Sequence, residues 1–270
     1  MVNTSFVSKC VGYAYALGMK LRFEKTFKGG KRPLKYLFMK GEDDTSNSLL
    51  IVFSSCTRKG VPARYNYVKT LSSVACPKLF VLDEYGPERR GCYYLGEDGD
   101  FDVYESTRGL IDLIVRQLGA KHRIYCGSSK GGWAALDFGI GDPDGAVVVG
   151  APQYRLGDYL KRESSLPEGN RDLLPYICGE REALVEELNN RVETKLLSGS
   201  SNQPVFLCYS RREHTYDEHI EFLRRDLRKA GRLVYEKECD FEDHGQIGRY
   251  FAPFLKATVE AQLQRWDRES

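Results

Sequence analysis

A serine flanked by glycines suggests a nucleophile. Residues 125–133 read Tyr-Cys-Gly-Ser-Ser-Lys-Gly-Gly-Trp, with Gly127 and Gly131 two residues either side of Ser129. An apolar run precedes this turn and a helix-forming run follows it. In a Gly-x-Ser-x-Gly turn between strand and helix, the backbone presents the hydroxyl at the sheet edge. The pattern predicts Ser129 as the nucleophile and the backbone N–H of Lys130 as an oxyanion donor. The alternative is an ordinary glycine-rich turn.

A serine nucleophile needs a base, and the chain has only four histidines. His122 lies at the start of the strand before the turn, and His219 falls inside a predicted helix. His214 and His244 both follow predicted strands. Active-site groups gather at the carboxyl ends of parallel strands. His244 follows the last strand, and it fits the order serine, acid, histidine. We therefore predict His244 as the base, with an exposed loop histidine as the alternative.

The acid is expected just after the strand predicted at 204–209, where Glu213, Asp217 and Glu218 compete. Glu213 follows the strand directly and can reach the neighbouring loop. Asp217 begins a predicted helix, where a carboxylate is common for capping and dipole reasons alone. We favour Glu213, keep Asp217 as the alternative, and interpret Asp243 as a loop carboxylate.

A second oxyanion donor is expected in the loop after the predicted strand 48–54. This loop lacks a His-Gly-Gly signature, so a backbone N–H of Ser54, Ser55 or Cys56 would have to serve. Basic side chains fall on loops at the same predicted edge. They either bind an anionic substrate or are solvated surface charge; they are Arg58, Lys59, Arg64, Arg211 and Arg212.

Strand and helix patterns alternate along the chain, which indicates a mostly parallel, doubly wound α/β sheet of about eight strands. The predicted strands are 21–27, 35–40, 48–54, 78–83, 122–126, 145–150, 204–209 and 232–238. The predicted helices are 65–74, 103–118, one from Trp133, 180–197, 216–229 and 246–265. The charged segment 153–203 separates two core strands, so we expect a small helical cap inserted into a core formed by 1–152 and 204–270.

Composition excludes several classes of protein. The chain has 270 residues, 41% of them hydrophobic, with a net charge of +2. That is ample material for a core, and it gives no bulk field for nucleic acid or a membrane surface. No apolar run approaches the ~18 residues of a spanning helix. The eight cysteines are dispersed without a C-x-x-C pair, which favours buried free thiols over a zinc site and predicts a cytoplasmic protein.

The order of these parts resembles the α/β-hydrolase superfamily. The matching residues are the turn from Gly127 to Gly132, Glu213 after the penultimate strand and His244 after the last. The Gly-Ser-Ser-Lys-Gly-Gly run and Tyr-Asn-Tyr at 65–67 also look similar to a bacterial branch with capsule-biosynthesis proteins and a glycan O-acetyltransferase. The resemblance implies a serine–acid–histidine mechanism on an ester or related acyl substrate, a small molecule or a glycan, without cofactor or metal. The alternatives are a non-catalytic module of polysaccharide assembly and, less favoured, a peptidase.

Overall fold

A computed structural model describes residues 4–41, 47–166, 169–198 and 202–269, and for 4–10 the backbone only. Its centre is one sheet of eight strands. The strands are β1 (Glu24–Phe27), β2 (Leu34–Met39), β3 (Ser48–Phe53), β4 (Lys78–Leu82), β5 (His122–Ser128), β6 (Gly145–Gly150), β7 (Val205–Tyr209) and β8 (Val234–Glu238).

The spatial order of the strands is β1-β2-β4-β3-β5-β6-β7-β8. The strands from β4 to β8 in this order all run parallel. At the other edge β2 pairs antiparallel with β4, and β1 pairs antiparallel with β2. β3, β4 and β6 are buried at every position, as expected of parallel strands covered on both faces. The predicted mostly parallel, doubly wound α/β sheet of about eight strands is confirmed.

Eight helices lie in the described part of the chain. They are α1 (Thr4–Phe23), α2 (Asp102–Leu118), α3 (Lys130–Gly139), α4 (Leu156–Ser165), α5 (Leu173–Cys178), α6 (Glu182–Ser198), α7 (Glu221–Lys229) and α8 (Ile247–Glu269). None of them combines the length and hydropathy that a bilayer-spanning segment needs.

The two faces of the sheet are covered by different helices. Side chains alternate along β3, so Ile51 and Phe53 enter one core, and Leu50 and Val52 enter the other. The first core is completed by α2, α3 and the helices of the 153–203 segment. The second is completed mainly by α8 and the turns at 63–74. The carboxyl ends of β3 and of β5 to β8 therefore share one edge between two helical layers.

Two predicted elements are wrong. Residues 21–23 continue α1, so the first strand is only Glu24–Phe27. Residues 65–74 form successive turns and not a helix, with Tyr67 at φ 60°. Tyr65, Val68, Leu71 and Val74 are nevertheless buried. The hydrophobic spacing thus marked a buried side correctly, while tertiary packing selected turns over a helix.

The segment 153–203 contributes α4, α5 and α6. The buried side of α6 joins the first core, where α6 packs against α3 and α7. This helix is part of the layer that covers the sheet. α5 contacts the loop before α2, because Tyr176 and Ile177 carbonyls accept hydrogen bonds from the N–H groups of Asp98 and Gly99. That residues 153–203 form a cap over the site stays a prediction.

Candidate active site

Ser129 lies between the end of β5 and the start of α3, in a strained conformation. Its φ is 54° and its ψ is −123°, which a residue with a Cβ rarely adopts. The two flanking glycines permit this turn. A Cβ on Gly127 would come within 2.4 Å of the carbonyl of Gly131, and a Cβ on Gly131 would come within 2.5 Å of the Phe53 oxygen. The sequence spacing therefore reflects backbone contacts that leave no room for larger residues.

Ser129, His244 and Glu213 form a chain of hydrogen bonds. Ser129 Oγ is 2.9 Å from His244 Nε2, and His244 Nδ1 is 3.1 Å from Glu213 Oε2. In this arrangement the ring donates from Nδ1 to the carboxylate, so that Nε2 accepts the hydroxyl proton. This is the geometry by which a histidine acts as general base toward a serine.

Adjacent strands carry the acid and the base to this point. Glu213 follows β7, and His244 begins a short 3₁₀ turn after β8. The Asp243 carboxylate accepts the Gly245 N–H at 2.8 Å and so caps the turn that carries His244. Asp243 has the loop role that its sequence position suggested.

Glu213 is buried, and its surroundings keep it charged. Burial raises the pKa of a carboxyl group. The hydrogen bond and charge of His244, with a hydrogen bond from the Thr215 hydroxyl, outweigh that effect, so the pKa of Glu213 lies below its ordinary value. Asp217 is exposed and makes no hydrogen bond or ion pair to His244 among the described residues. The geometry thus pairs Glu213, and not Asp217, with the imidazole.

The oxyanion donors differ from the expectation at two positions. The Lys130 N–H belongs to the first turn of α3, where no intrahelical acceptor exists. The N–H groups of Ser54 and Ser55 are already used. Ser54 donates to Tyr94 Oη at 2.6 Å, and Ser55 donates to Asn66 Oδ1 at 2.8 Å. These two predicted donors are corrected, because neither N–H is available to a substrate.

Cys56 is the remaining donor in this loop. Its N–H has no acceptor among the described residues. The loop that contains Cys56 is tied to the end of β5 by Ser55, whose hydroxyl donates to the Ser128 carbonyl at 2.8 Å. The Tyr67 hydroxyl bonds Ser128 Oγ at 2.5 Å. Residues of the Tyr-Asn-Tyr run therefore support the loop, although the sequence had indicated a helix there.

The Lys130 side chain points away from the nucleophile into the core. It reaches Asp83, whose Oδ2 also accepts the N–H groups of Cys92 and Tyr94 at 2.9 and 3.0 Å. Tyr94 in turn contacts Ser54. The residue after the nucleophile is thus connected through Asp83 and Tyr94 to the loop of Cys56, a link between positions distant in sequence.

Gln153 is a site residue that the sequence did not indicate. Its Nε2 is 2.8 Å from Ser129 Oγ and 3.2 Å from His244 Nε2, and the residue has no exposed surface. The only signal was its place just after β6, whose end borders the ends of β5 and β7.

The predicted basic residues divide into two groups. Arg64 stacks on Tyr13, and Arg211 pairs with Glu238 at 3.0 Å. Arg212 pairs with Asp240. Arg58 and Lys59 are exposed, and their side chains have no charged partner in the described part of the chain. Among the five, Arg58 and Lys59, which follow Cys56, thus have neither a charged partner nor a ring contact in that part of the chain, and anion binding at any of the five stays a prediction. The described residues also contain no group of three or more His, Cys, Asp or Glu side chains suited to a metal.

Comparison with known proteins gives a structural relationship only. No family model and no curated protein sequence matches the chain. The capsule O-acetyltransferase of Neisseria meningitidis serogroup A has a TM-score of 0.69 at 21% identity, covering 88% of this chain and 94% of that one. A variant of that enzyme was solved in complex with CoA.

Two hydrolase structures are also similar. The S-formylglutathione hydrolase from Agrobacterium tumefaciens has a TM-score of 0.61 at 11% identity, covering 88% of this chain and 93% of that one. An alpha-beta serine hydrolase homologue from Coxiella burnetii has a TM-score of 0.55 at 10% identity, covering 90% and 97%. At these identities the similarity shows the fold, and this chain has an α/β-hydrolase-like fold.

Proposed function

We propose that this protein is a serine-dependent acyl-transfer enzyme, an esterase or an O-acyltransferase. The observation that supports it most directly is the unbroken chain from Ser129 Oγ through His244 to Glu213, with distances of 2.9 and 3.1 Å. A hydroxyl bonded to an imidazole that is itself oriented by a buried carboxylate is the arrangement that activates serine for attack on a carbonyl.

In the proposed reaction, Ser129 Oγ attacks the carbonyl carbon of an ester or thioester while His244 Nε2 takes its proton. The N–H groups of Lys130 and Cys56 stabilise the oxyanion. The carbonyl then re-forms, the bond from its carbon to the leaving oxygen or sulfur breaks, and His244 gives the proton to that leaving group, which leaves the acyl–Ser129 ester. Glu213 stays ionised throughout, because its lowered pKa favours the charged form beside the imidazolium.

We propose a small acyl group, and either water or a carbohydrate hydroxyl as acceptor. The capsule O-acetyltransferase and the S-formylglutathione hydrolase have names that describe acetyl transfer and thioester hydrolysis, two outcomes of the same acyl-enzyme chemistry. Arg58 and Lys59 are the candidate contacts for an anionic acyl donor such as CoA, because both are exposed and follow Cys56 in the chain. Every proposed step uses groups of this chain.

The test is covalent labelling with a fluorophosphonate probe, followed by intact mass and peptide mapping. We expect one probe per chain on Ser129 in the wild type, and none in Ser129→Ala. His244→Ala should label at least about a hundredfold more slowly, since the hydroxyl loses its base.

Two matched variants control for general damage. Ser72→Ala removes an exposed turn serine that donates to the Lys69 carbonyl, and His122→Gln removes a histidine stacked on Trp266 at the opposite edge of the sheet. Both should label like the wild type. An intact wild-type fold that takes no probe would contradict the proposal and favour a non-catalytic binding protein. With labelling established, turnover of small esters against peptide amides separates an esterase from a peptidase.

A further inference from the structure

The side chain of Gln153 occupies a space that the second half of an acyl-transfer reaction needs. Its Nε2 lies within hydrogen-bond distance of both reacting atoms, Ser129 Oγ at 2.8 Å and His244 Nε2 at 3.2 Å. Neither atom needs this amide for the relay to Glu213. The contact is therefore additional to the serine–histidine–acid chain.

The backbone before Gln153 is held in an unusual conformation that aims this side chain. Ala151 has φ 39°, in the left-handed region, and the ring of Pro152 fixes the φ angle of the next residue. The Ala151 N–H donates to the Cys208 carbonyl at 2.9 Å, so β7 fixes the strained residue. A non-glycine residue held in this region stores backbone strain, and such strain clusters at functional sites.

The acceptor that releases an acyl group must stand close to the same two atoms. It gives its proton to His244 Nε2, which requires a separation of about 2.6–3.2 Å. It also attacks the carbon bonded to Ser129 Oγ, from about 3–3.5 Å. The amide nitrogen of Gln153 already lies within hydrogen-bond distance of both Ser129 Oγ and His244 Nε2. A water molecule can enter only if the amide gives way, and a fully buried amide that leaves its partners loses hydrogen bonds that no solvent replaces.

We propose that Gln153 excludes water from the acyl-enzyme and so favours transfer to an alcohol over hydrolysis; the inference rests on the proposed function. An alcohol acceptor displaces the amide because binding of the rest of that molecule offsets the lost contacts. The acceptor oxygen then bonds the acyl carbon, its proton moves to His244 Nε2, the Ser129 Oγ–carbon bond breaks, and the proton returns to Ser129. Water would follow the same course if it reached this position.

The experiment measures both halves of the reaction with one substrate. The enzyme is given 4-nitrophenyl acetate with glycerol; the burst of 4-nitrophenolate reports acylation, and the ratio of acetate to acetylglycerol reports the acceptor. We expect Gln153→Ala to retain the burst and to raise the acetate share relative to acetylglycerol about tenfold. Gln153→Met fills nearly the same volume, so its ratio should stay within about threefold of the wild type.

Gln203→Ala is the matched control, because Gln203 is also a buried glutamine, but its amide bonds Gly139 and Gly141 at the other end of the sheet. Its ratio should equal that of the wild type. A burst in Gln153→Ala with an unchanged ratio would overturn the inference. An equal rise in Gln153→Ala and Gln153→Met would overturn it too, since bulk would then not exclude water. Absence of any enzyme-dependent release of 4-nitrophenolate in the wild type would instead count against the proposed function.

Discussion

Lys130 Nζ lies 2.7 Å from Asp83 Oδ2, and neither side chain has any exposed surface. Lys130 directly follows Ser129, and Asp83 directly follows the strand β4, which lies next to β3. The ammonium also comes so close to Gly91 that a Cβ there would be only 2.2 Å from Nζ. This ion pair joins the start of α3 to the segment 83–94, so its integrity bears on both stability and the site.

Lys130→Met should strongly destabilise the fold. The substitution leaves the Asp83 carboxylate buried without its cation, and removal of one partner from a buried pair costs about 3–5 kcal/mol. The free energy of unfolding from urea titration measures it. Lys130→Met combined with Asp83→Asn should recover part of the loss, because the uncompensated charge is then gone. As a control, Lys256→Met breaks the exposed pair with Glu260 and should cost under about 1 kcal/mol. Equal losses in both single variants would contradict this view of the core pair.

Glu213→Gln should lower kcat by about 10³–10⁴-fold, because the amide no longer stabilises the imidazolium or holds its tautomer. Asp217→Asn, four residues further on, changes an exposed carboxylate in the π-helical segment Tyr216–Ile220 and should leave kcat within about twofold. Ester turnover across pH 6–9 makes the comparison. A large loss in Asp217→Asn with little loss in Glu213→Gln would reverse the assignment of the acid.

Asn66→Ala should reduce kcat about tenfold with little change in KM. The Asn66 side chain accepts the Ser55 N–H and so fixes the loop whose next residue, Cys56, offers an oxyanion donor. Loss of a full oxyanion donor costs about 10²–10³-fold, and a loosened one should cost less. Asn190→Ala removes an amide that donates to Glu186, one turn earlier on α6, and is the control. A rise in KM alone would place Asn66 in substrate binding instead.

His219 should make stability depend on pH. Burial is the main reason that the pKa of His219 is lowered to about 3, and the charge of nearby His214 is the second. The charge of Arg162 also lowers this pKa, whereas the charge of Asp158 raises it. The unfolded chain therefore takes up a proton near the ordinary value of 6.5 that the folded chain refuses. Stability is complete above that value and falls as pH decreases toward 3.

Between pH 7 and 5 the His219 contribution is roughly 2 kcal/mol by linkage. His219→Gln should remove most of this slope, as read from urea midpoints at the two pH values. Glu213 does not interfere, because its lowered pKa acts only below its ordinary value of 4.5. His214→Gln is measured in parallel, since burial also lowers the pKa of His214. An unchanged slope in His219→Gln would show that other groups carry the effect.

The sheet was predictable because a parallel strand that is buried on both faces appears in the sequence as a continuous apolar run. Such a run can be recognised without knowing which distant residues pack against it. The same reasoning placed Ser129, Glu213 and His244 at strand ends that share one edge. Residues 65–74 failed because their hydrophobic spacing fits a helix as well as buried turns, and Tyr67 at positive φ is a tertiary outcome.

The contacts of Gln153 and the Lys130–Asp83 pair could not be predicted from the sequence, because they too depend on tertiary structure. A glutamine after a proline carries no chemical signature, and its contacts depend on the strained Ala151 and on the positions of Ser129 and His244, which follow β5 and β8. Asp83 and Lys130 are 47 residues apart, so only the folded core shows that they meet. The prediction of Ser54 and Ser55 as oxyanion donors was wrong because their N–H groups already donate to other segments, to Tyr94 and Asn66.

The strand order has a consequence for how activity depends on assembly. The candidate nucleophile Ser129 directly follows β5, whereas Glu213 and His244, the latter 115 residues beyond Ser129, follow β7 and β8. A chain divided between α6 and β7 would give one fragment that holds Ser129 without His244, and another that holds His244 without Ser129. Turnover recovered on mixing the two fragments would therefore measure the fraction in which β7 has docked beside β6 again. Activity would in this way report on strand docking.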